Sequence, residues 1–356
     1  MALIELDLAH AYLPLPMQES DYALLPLKMA FRDGGAYALL GPSGCGKTTM
    51  LNIISGLLEP SQGSVRFDGK DVTRATPQQR NIAQVFQFPV IYDTMTVAGN
   101  LAFPLRNRNM PEAQIKKRVG EIAEMLDMSG QLNQRAAGLA ADAKQKLSLG
   151  RGLVRDDVSA VLFDEPLTVI DPHLKWQLRR KLKQIHRELK LTLIYVTHDQ
   201  VEALTFAEEV VVMTRGKAVQ IGTAEALFER PAHTFVGHFI GSPGMNFVPA
   251  QHAGGTLAVA GEQIAALRTL PEGELKIGIR PEYLVLAEPG SAGAVPATVT
   301  QMLDIGTHAM LSASAGGGAL KARLSLDGPL PAVGDAVWLQ VVNAHSCYYR
   351  NEELVA

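Results

Sequence analysis

The run Gly41-Pro-Ser-Gly-Cys-Gly-Lys47-Thr48 constrains this chain more than any other stretch. It fills every position of the phosphate-binding-loop pattern. The apolar run Tyr37-Ala-Leu-Leu40 stops at Gly41, and Thr49 to Leu57 reads as a helix, so the loop is predicted between a strand and a helix. Glycines let the backbone curl until successive N–H groups face phosphate oxygens. The helix start adds partial positive charge at the same place. On this reading Ser43, Gly44, Cys45, Gly46, Lys47, Thr48 and Thr49 hold a nucleotide's phosphates. Lys47 reaches the β- and γ-phosphates, and the Thr48 hydroxyl ligates Mg²⁺.

Two further strands are expected at Ala160-Val-Leu-Phe163 and Leu193-Ile-Tyr-Val196, with Leu178, Leu182, Ile185 and Leu189 at helical spacing between them. Strands alternating with helices predict an α/β core, a mainly parallel sheet covered on both faces. A helical subdomain is expected over about 94–155, where Pro111 opens a helix with Ile115, Val119, Ile122 and Leu126 on one face. Its Lys116-Lys117-Arg118 cluster reads as a solvated face. After about Ser242, Gly, Ala and Pro become dense and short strands such as Lys276-Ile-Gly-Ile, Ala297-Thr-Val-Thr and Ala336–Val342 follow. The 356 residues are therefore divided into a nucleotide-binding domain, 1–241, and a β-rich regulatory domain, 242–356.

A formal net charge of −3 supplies no positive field for nucleic acid. Two cysteines far apart, Cys45 and Cys347, suit a reducing, cytosolic setting. The first ten residues lack a signal peptide's basic start and apolar core, and the apolar runs are far shorter than a membrane span. Any transport role would need another subunit to supply the channel.

Val161-Leu-Phe163 leads into Asp164-Glu165. At a strand end, Asp164 would hold Mg²⁺ through water, and Glu165 would orient the attacking water or accept its proton. His198, just past the Leu193–Val196 strand, is placed to donate to a γ-phosphate. Gln87, in Val-Phe-Gln-Phe-Pro89, offers a neutral amide to Mg²⁺ or the water, and the loop Val90 to Thr96 after it reads as an exposed contact surface. Tyr12 precedes the first core strand and would stack on adenine.

These residues resemble the ABC-transporter ATPase family, specifically its carbohydrate-importer branch. Gly-Pro-Ser-Gly-Cys-Gly-Lys-Thr-Thr, Val-Phe-Gln, Leu-Phe-Asp-Glu-Pro-Leu, Leu167-Thr-Val-Ile-Asp171 in the place of the D-loop, and Val-Thr-His-Asp-Gln occur in the family's order. Phe235–Phe247 and Gly278-Ile-Arg-Pro-Glu282 are similar to the junction and start of the C-terminal OB-like β-barrel of maltose- and glycerol-phosphate-type importers. The wording is closest to glycerol-importer subunits. The resemblance implies a P-loop NTPase core that uses ATP and Mg²⁺ in a head-to-tail pair. It also implies two transmembrane permease subunits, an external solute-binding protein, and a peripheral place on the cytoplasmic membrane face.

One stretch departs from the family. Its signature loop reads Leu-Ser-Gly-Gly-Gln, where this chain has Leu139-Ala-Ala-Asp-Ala143. Ala140 lacks the hydroxyl, Ala141 and Asp142 add side chains where backbone approaches phosphate, and Asp142 adds like charge. At ~5 Å and an effective dielectric near ~20 that repulsion is about 3 kcal/mol. The expectation is an asymmetric heterodimer with a second, non-identical ATPase subunit. The alternative is a regulatory subunit that binds nucleotide but hydrolyses little.

Overall fold

In the computed structural model, which describes residues 2–355 except Val169 and only the backbone of Pro172 and His173, strands and helices alternate from the start. The chain runs β1 (Ile4–Ala11), β2 (Tyr22–Phe31), β3 (Ala36–Leu40), α1 (Lys47–Ser55), β4 (Gln62–Phe67), β5 (Lys70–Asp71), α2 (Pro77–Arg80) and β6 (Ile82–Val85). Three helices follow: α3 (Val97–Arg106), α4 (Glu112–Met125) and α5 (Ala141–Leu153). The order then continues β7 (Ala160–Asp164), α6 (Pro172–Leu189), β8 (Leu193–Thr197), α7 (Gln200–Phe206), β9 (Glu209–Thr214) and β10 (Lys217–Gly222).

The central sheet has the order β10-β9-β3-β8-β7-β6. Its pairs from β9 to β6 are parallel, and β10 joins antiparallel. All five residues of β3 and of β8 are buried, as strands covered on both faces require. A second, antiparallel sheet, β2-β1-β4-β5, shares a core with α1 through Ile4, Leu6, Met50 and Ile53.

The helices α3 to α5 lie between β6 and β7. Pro111 caps α4, and Ile115, Val119, Ile122 and Leu126 are all buried. Lys116 and Lys117 are exposed, but Arg118 is not part of a solvated face. Its guanidinium donates to the carbonyls of Val154 and Leu153 at 2.9 and 3.2 Å and pairs with Glu121. The end of α5 leaves unpaired carbonyls, and the nearest long cation satisfies them.

The second compact unit spans 225–356, the first 1–224. Helices α8 (Ala224–Glu229) and α9 (Thr234–Phe239) precede strands β11 (Asn246–Ala253), β12 (Thr256–Val259), β13 (Glu262–Ala265), β14 (Gly273–Ile279), β15 (Val285–Ala287) and β16 (Ala294–Asp304). The chain ends with β17 (Ala309–Ala315), β18 (Gly318–Leu324), β19 (Ala336–Gln340), β20 (Cys347–Arg350) and β21 (Glu353–Leu354). They form curled antiparallel sheets, β13-β12-β11-β14-β20-β21 and β15-β19-β16-β17-β18, around one core that includes Leu257, Ile277, Leu311 and Leu339. The unit boundary falls at the first residue of α8, whereas sequence texture changes after α9. The reason is Arg280. This buried guanidinium of the β-rich unit donates to the carbonyls of Phe228, Gly237, Leu227 and Ile240, which ties both helices to the sheets.

In the first unit Arg80 does a similar job for α1. Buried beneath the helix end, it donates to the carbonyls of Ile53 (2.6 Å), Ile54 (3.1 Å), Thr73 (2.7 Å) and Ala75 (2.9 Å). A cation there also complements the negative end of the helix dipole. Arg80→Met is expected to take away the donor these carbonyls share and destabilise the unit by about 2–4 kcal/mol. Urea unfolding checks this, and an unchanged midpoint would refute it.

Candidate active site

Parallel pairing brings the C-terminal ends of β3, β8, β7 and β6 to one edge. Leu40 lies opposite Thr197, Asp164 opposite Val196, and Val85 opposite Phe163. The segments leaving those ends, from Gly41, Glu165, His198 and Phe86, therefore start side by side. This is where open α/β sheets bind ligands.

Between β3 and α1 the loop curls tightly. Gly44 and Gly46 have φ of 78° and 104°. A Cβ on Gly46 would lie 2.5 Å from the Ala23 carbonyl oxygen, so only glycine fits. Met50 N–H, bonded to Gly46 O at 2.9 Å, makes the first helical hydrogen bond. The N–H groups of Lys47, Thr48 and Thr49 therefore have no carbonyl behind them in the helix ladder. Lys47 is 5 % exposed, and its ammonium donates to the carbonyls of Gly41 (2.8 Å) and Pro42 (2.9 Å).

A cleft of about 400 Å³ opens over this loop, lined by Tyr12, Ala23, Ser43, Gly44, Gly46, Lys47, Thr48, Thr49 and Glu165. Tyr12 Oη lies 3.0 Å from Thr49 Oγ1, and the ring meets His10 edge-on, with centroids 4.7 Å apart. Cys45 points away: its thiol packs in the core and is pushed up in pKa by burial, and its N–H bonds Pro42 O at 3.3 Å.

Thr48 Oγ1 donates to Asp164 Oδ1 at 3.3 Å. Burial first, then repulsion from Glu165, raises the Asp164 carboxyl above its ordinary range, against the Thr48 hydrogen bond and Lys47. Glu165 holds a left-handed backbone, φ 47°, a conformation that non-glycine residues adopt at a cost. Its Oε2 lies 3.1 Å from His198 Nδ1 and accepts from Thr168 Oγ1 at 3.2 Å. Thr168 was not singled out from the sequence. It sits three residues after Glu165 in a turn closed by Thr168 N–H to Glu165 O, and that spacing is the only signal it carries.

Several sequence candidates lie off the cleft wall. Gln87 is half-buried past the end of β6 and does not line the cleft. Asp171 precedes α6 and accepts from Lys175 N–H at 2.9 Å; Val169, in the same Leu167–Asp171 stretch, lies outside the described residues. Leu139 is buried, Ala140 is the N-cap of α5 with no side-chain cap bond, and Ala141, Asp142 and Ala143 form its first turn.

The ABC-transporter family model matches residues 24–168, and a TOBE-domain model matches 277–347. The sn-glycerol-3-phosphate import ATP-binding protein UgpC of Chromohalobacter salexigens is 41% identical over 285 residues, covering 79% of this chain and 77% of that protein. This chain belongs to the ABC-transporter ATP-binding family. The UgpC protein of Salmonella typhi is 38% identical over 327 residues, 89% of this chain and 90% of its own length. Among solved structures, CbiO1 from Clostridium perfringens, part of the transporter complex CbiONQ, superposes with a TM-score of 0.58 at 25% identity, over 64% of this chain and 90% of that one. As an ABC ATPase the chain uses ATP with Mg²⁺ and couples its hydrolysis to transport.

The residues fit that substrate. A buried ammonium whose bonded partners are two carbonyls and the Cys45 thiol, none of them an anion, suits polyphosphate, as do unpaired helix N–H groups and a glycine cradle. Among the described residues no group of three or more His, Cys, Asp or Glu side chains gathers at one point. Thr48 and Asp164 present a hydroxyl and a carboxylate side by side, a hard-oxygen set of the kind Mg²⁺ takes together with water.

A carboxyl whose folded pKa lies above its unfolded value binds more protons when folded in the window between the two. Its contribution to stability falls as pH rises through that window. Ionised Asp164 thus weakens the nucleotide-free protein at neutral pH. Asp164→Asn is expected to raise the nucleotide-free Tm by about 1–3 °C at neutral pH. The gain should shrink toward the ordinary carboxylate range, and stabilisation by Mg-ATP should be lost. A lower Tm in calorimetry would refute this.

Proposed function

We propose that this chain powers import of glycerol, glycerol 3-phosphate or a related polyol, hydrolysing ATP at its own phosphate-binding loop in an asymmetric pair with a different ATPase subunit. The glycerol-3-phosphate importers among its relatives support the solute class. The observation that carries the asymmetry is the start of α5. Ala140 caps the helix without a side-chain acceptor, and Asp142 sits in its first turn. A carboxylate there satisfies the helix dipole and repels phosphate.

In the competent site Lys47 and the N–H groups of residues 44–49 bind the phosphates, Tyr12 receives the base, and Thr48 and Asp164 hold the metal. Mg²⁺ there neutralises charge on the β- and γ-phosphates. Glu165, kept in place by Thr168, orients the attacking water and accepts its proton. His198 holds the γ-phosphate from the neighbouring strand end. Gln87 reaches the metal or water as its loop moves. That loop, with Phe86, Phe88, Val90 and Tyr92 exposed beside a groove lined by Pro104, Ser148 and Arg151, supports docking to membrane subunits. Among the described residues no helix is long and apolar enough to cross a membrane, consistent with peripheral attachment through those partners. An external solute-binding protein would deliver the solute to them.

The purified chain alone is expected to hydrolyse ATP at least about tenfold more slowly than the assembly with its co-expressed partner ATPase. Ala140→Ser, Ala141→Gly and Asp142→Gly together are expected to raise turnover of the lone chain. Brisk, cooperative turnover by the unaltered lone protein would reject the partner requirement. Full activity of a Glu165→Gln assembly would instead favour a regulatory subunit.

A further inference from the structure

Glu202 on α7 is 4 % exposed, and nothing said so far gives this carboxylate a task. Its Oε2 accepts from Thr197 Oγ1 at 2.9 Å and from Tyr195 Oη at 3.0 Å, and its Oε1 lies 3.8 Å from Lys175 Nζ. Thr197 Oγ1 in turn accepts from Asp199 N–H at 3.0 Å. The Asp199 carboxylate caps α7 by accepting from the N–H groups of Val201 (2.8 Å) and Glu202 (3.1 Å). Residues on both sides of His198 are thus locked into one network that closes on Glu202. Tyr195 is itself clamped between Phe163 and Phe206, with ring centroids at 5.9 and 5.1 Å. Lys175 stands in α6 just after Asp171, so the carboxylate also ties the His198 loop to the segment that follows Glu165 and Thr168.

The His198 side chain is 55% exposed and has little packing of its own to hold it. Yet a displacement of about 1 Å at a reacting group can cost about a hundredfold in rate. We infer that Glu202 is a positioning residue for hydrolysis, a buried carboxylate that holds the His198 loop against Glu165 through Thr197 and Asp199. The inference rests on reading Glu165 and His198 as the hydrolytic pair. A charge held only for stability is a poor device, since apolar replacements of buried ionic groups often match or exceed them. A charge that orients a neighbouring loop has a reason to be retained.

The test uses the assembly purified with its partner ATPase and membrane subunits, comparing Glu202→Gln, His198→Ala and the double variant. Single-turnover hydrolysis, ATP affinity and thermal unfolding are measured for each. Glu202→Gln is expected to slow the single-turnover step about tenfold or more with ATP affinity within about twofold. In the His198→Ala background the same substitution should change the rate by less than about twofold, because it acts through a side chain already removed. Equal losses in both backgrounds would show a general structural role and overturn the inference, as would no loss in either. Impaired His198→Ala beside unimpaired Glu202→Gln sinks this inference alone, whereas unimpaired His198→Ala sinks the hydrolytic pairing beneath it. Should Glu202→Gln fail to accumulate folded, Thr197→Val removes one donor from the same oxygen. It is expected to show a loss of about fivefold with the same non-additivity.

Discussion

Parallel pairing of β3 with β8, β8 with β7 and β7 with β6 is the constraint on which the rest of this ATPase depends. Parallel strands run the same way, so the segments that leave them start from a common edge. Four stretches distant in sequence then start from one edge, and two of them, the Gly41–Thr49 loop and the segment from Glu165, line the cleft. The sheet can hold this arrangement because its central strands are apolar on both faces and are covered by helices on each side. Arg80 and Arg280 extend the same logic to helix ends, since each supplies one buried cation to several carbonyls at once.

The cleft itself is not built for stability. Lys47 is buried against neutral carbonyls, Asp164 is held where its charge is costly, and Glu165 occupies a left-handed backbone. Each is unfavourable in isolation. Rigid strands beneath and the Glu202 network beside the cleft supply the support such strain needs.

Two helix starts in this unit show opposite electrostatics. The start of α1 is approached by a glycine loop, and its N–H groups face open space. At the start of α5 an alanine stands at the cap and an aspartate in the first turn. The first presents partial positive charge to a ligand, and the second has answered its own dipole. The proposed asymmetry between composite sites follows from this contrast, within a fold that is otherwise complete.

Features set by a few neighbouring residues were legible in the sequence. The phosphate loop, the buried strands at Ala160 and Leu193, the apolar face of α4 and the altered Leu139–Ala143 stretch all follow from glycine placement, periodicity and charge over short windows. Which residues meet was another matter. Thr48 reaches Asp164 across 116 positions, Arg118 turns inward to the end of α5, Cys45 faces the core, and α8 and α9 join the β-rich unit through Arg280. The sequence by itself determined the elements and the chemistry they carry, because dihedral preference and hydrophobic spacing act locally. Only the tertiary structure decided the contacts, because a buried donor takes whichever acceptor the packed strands and helices bring within about 3 Å.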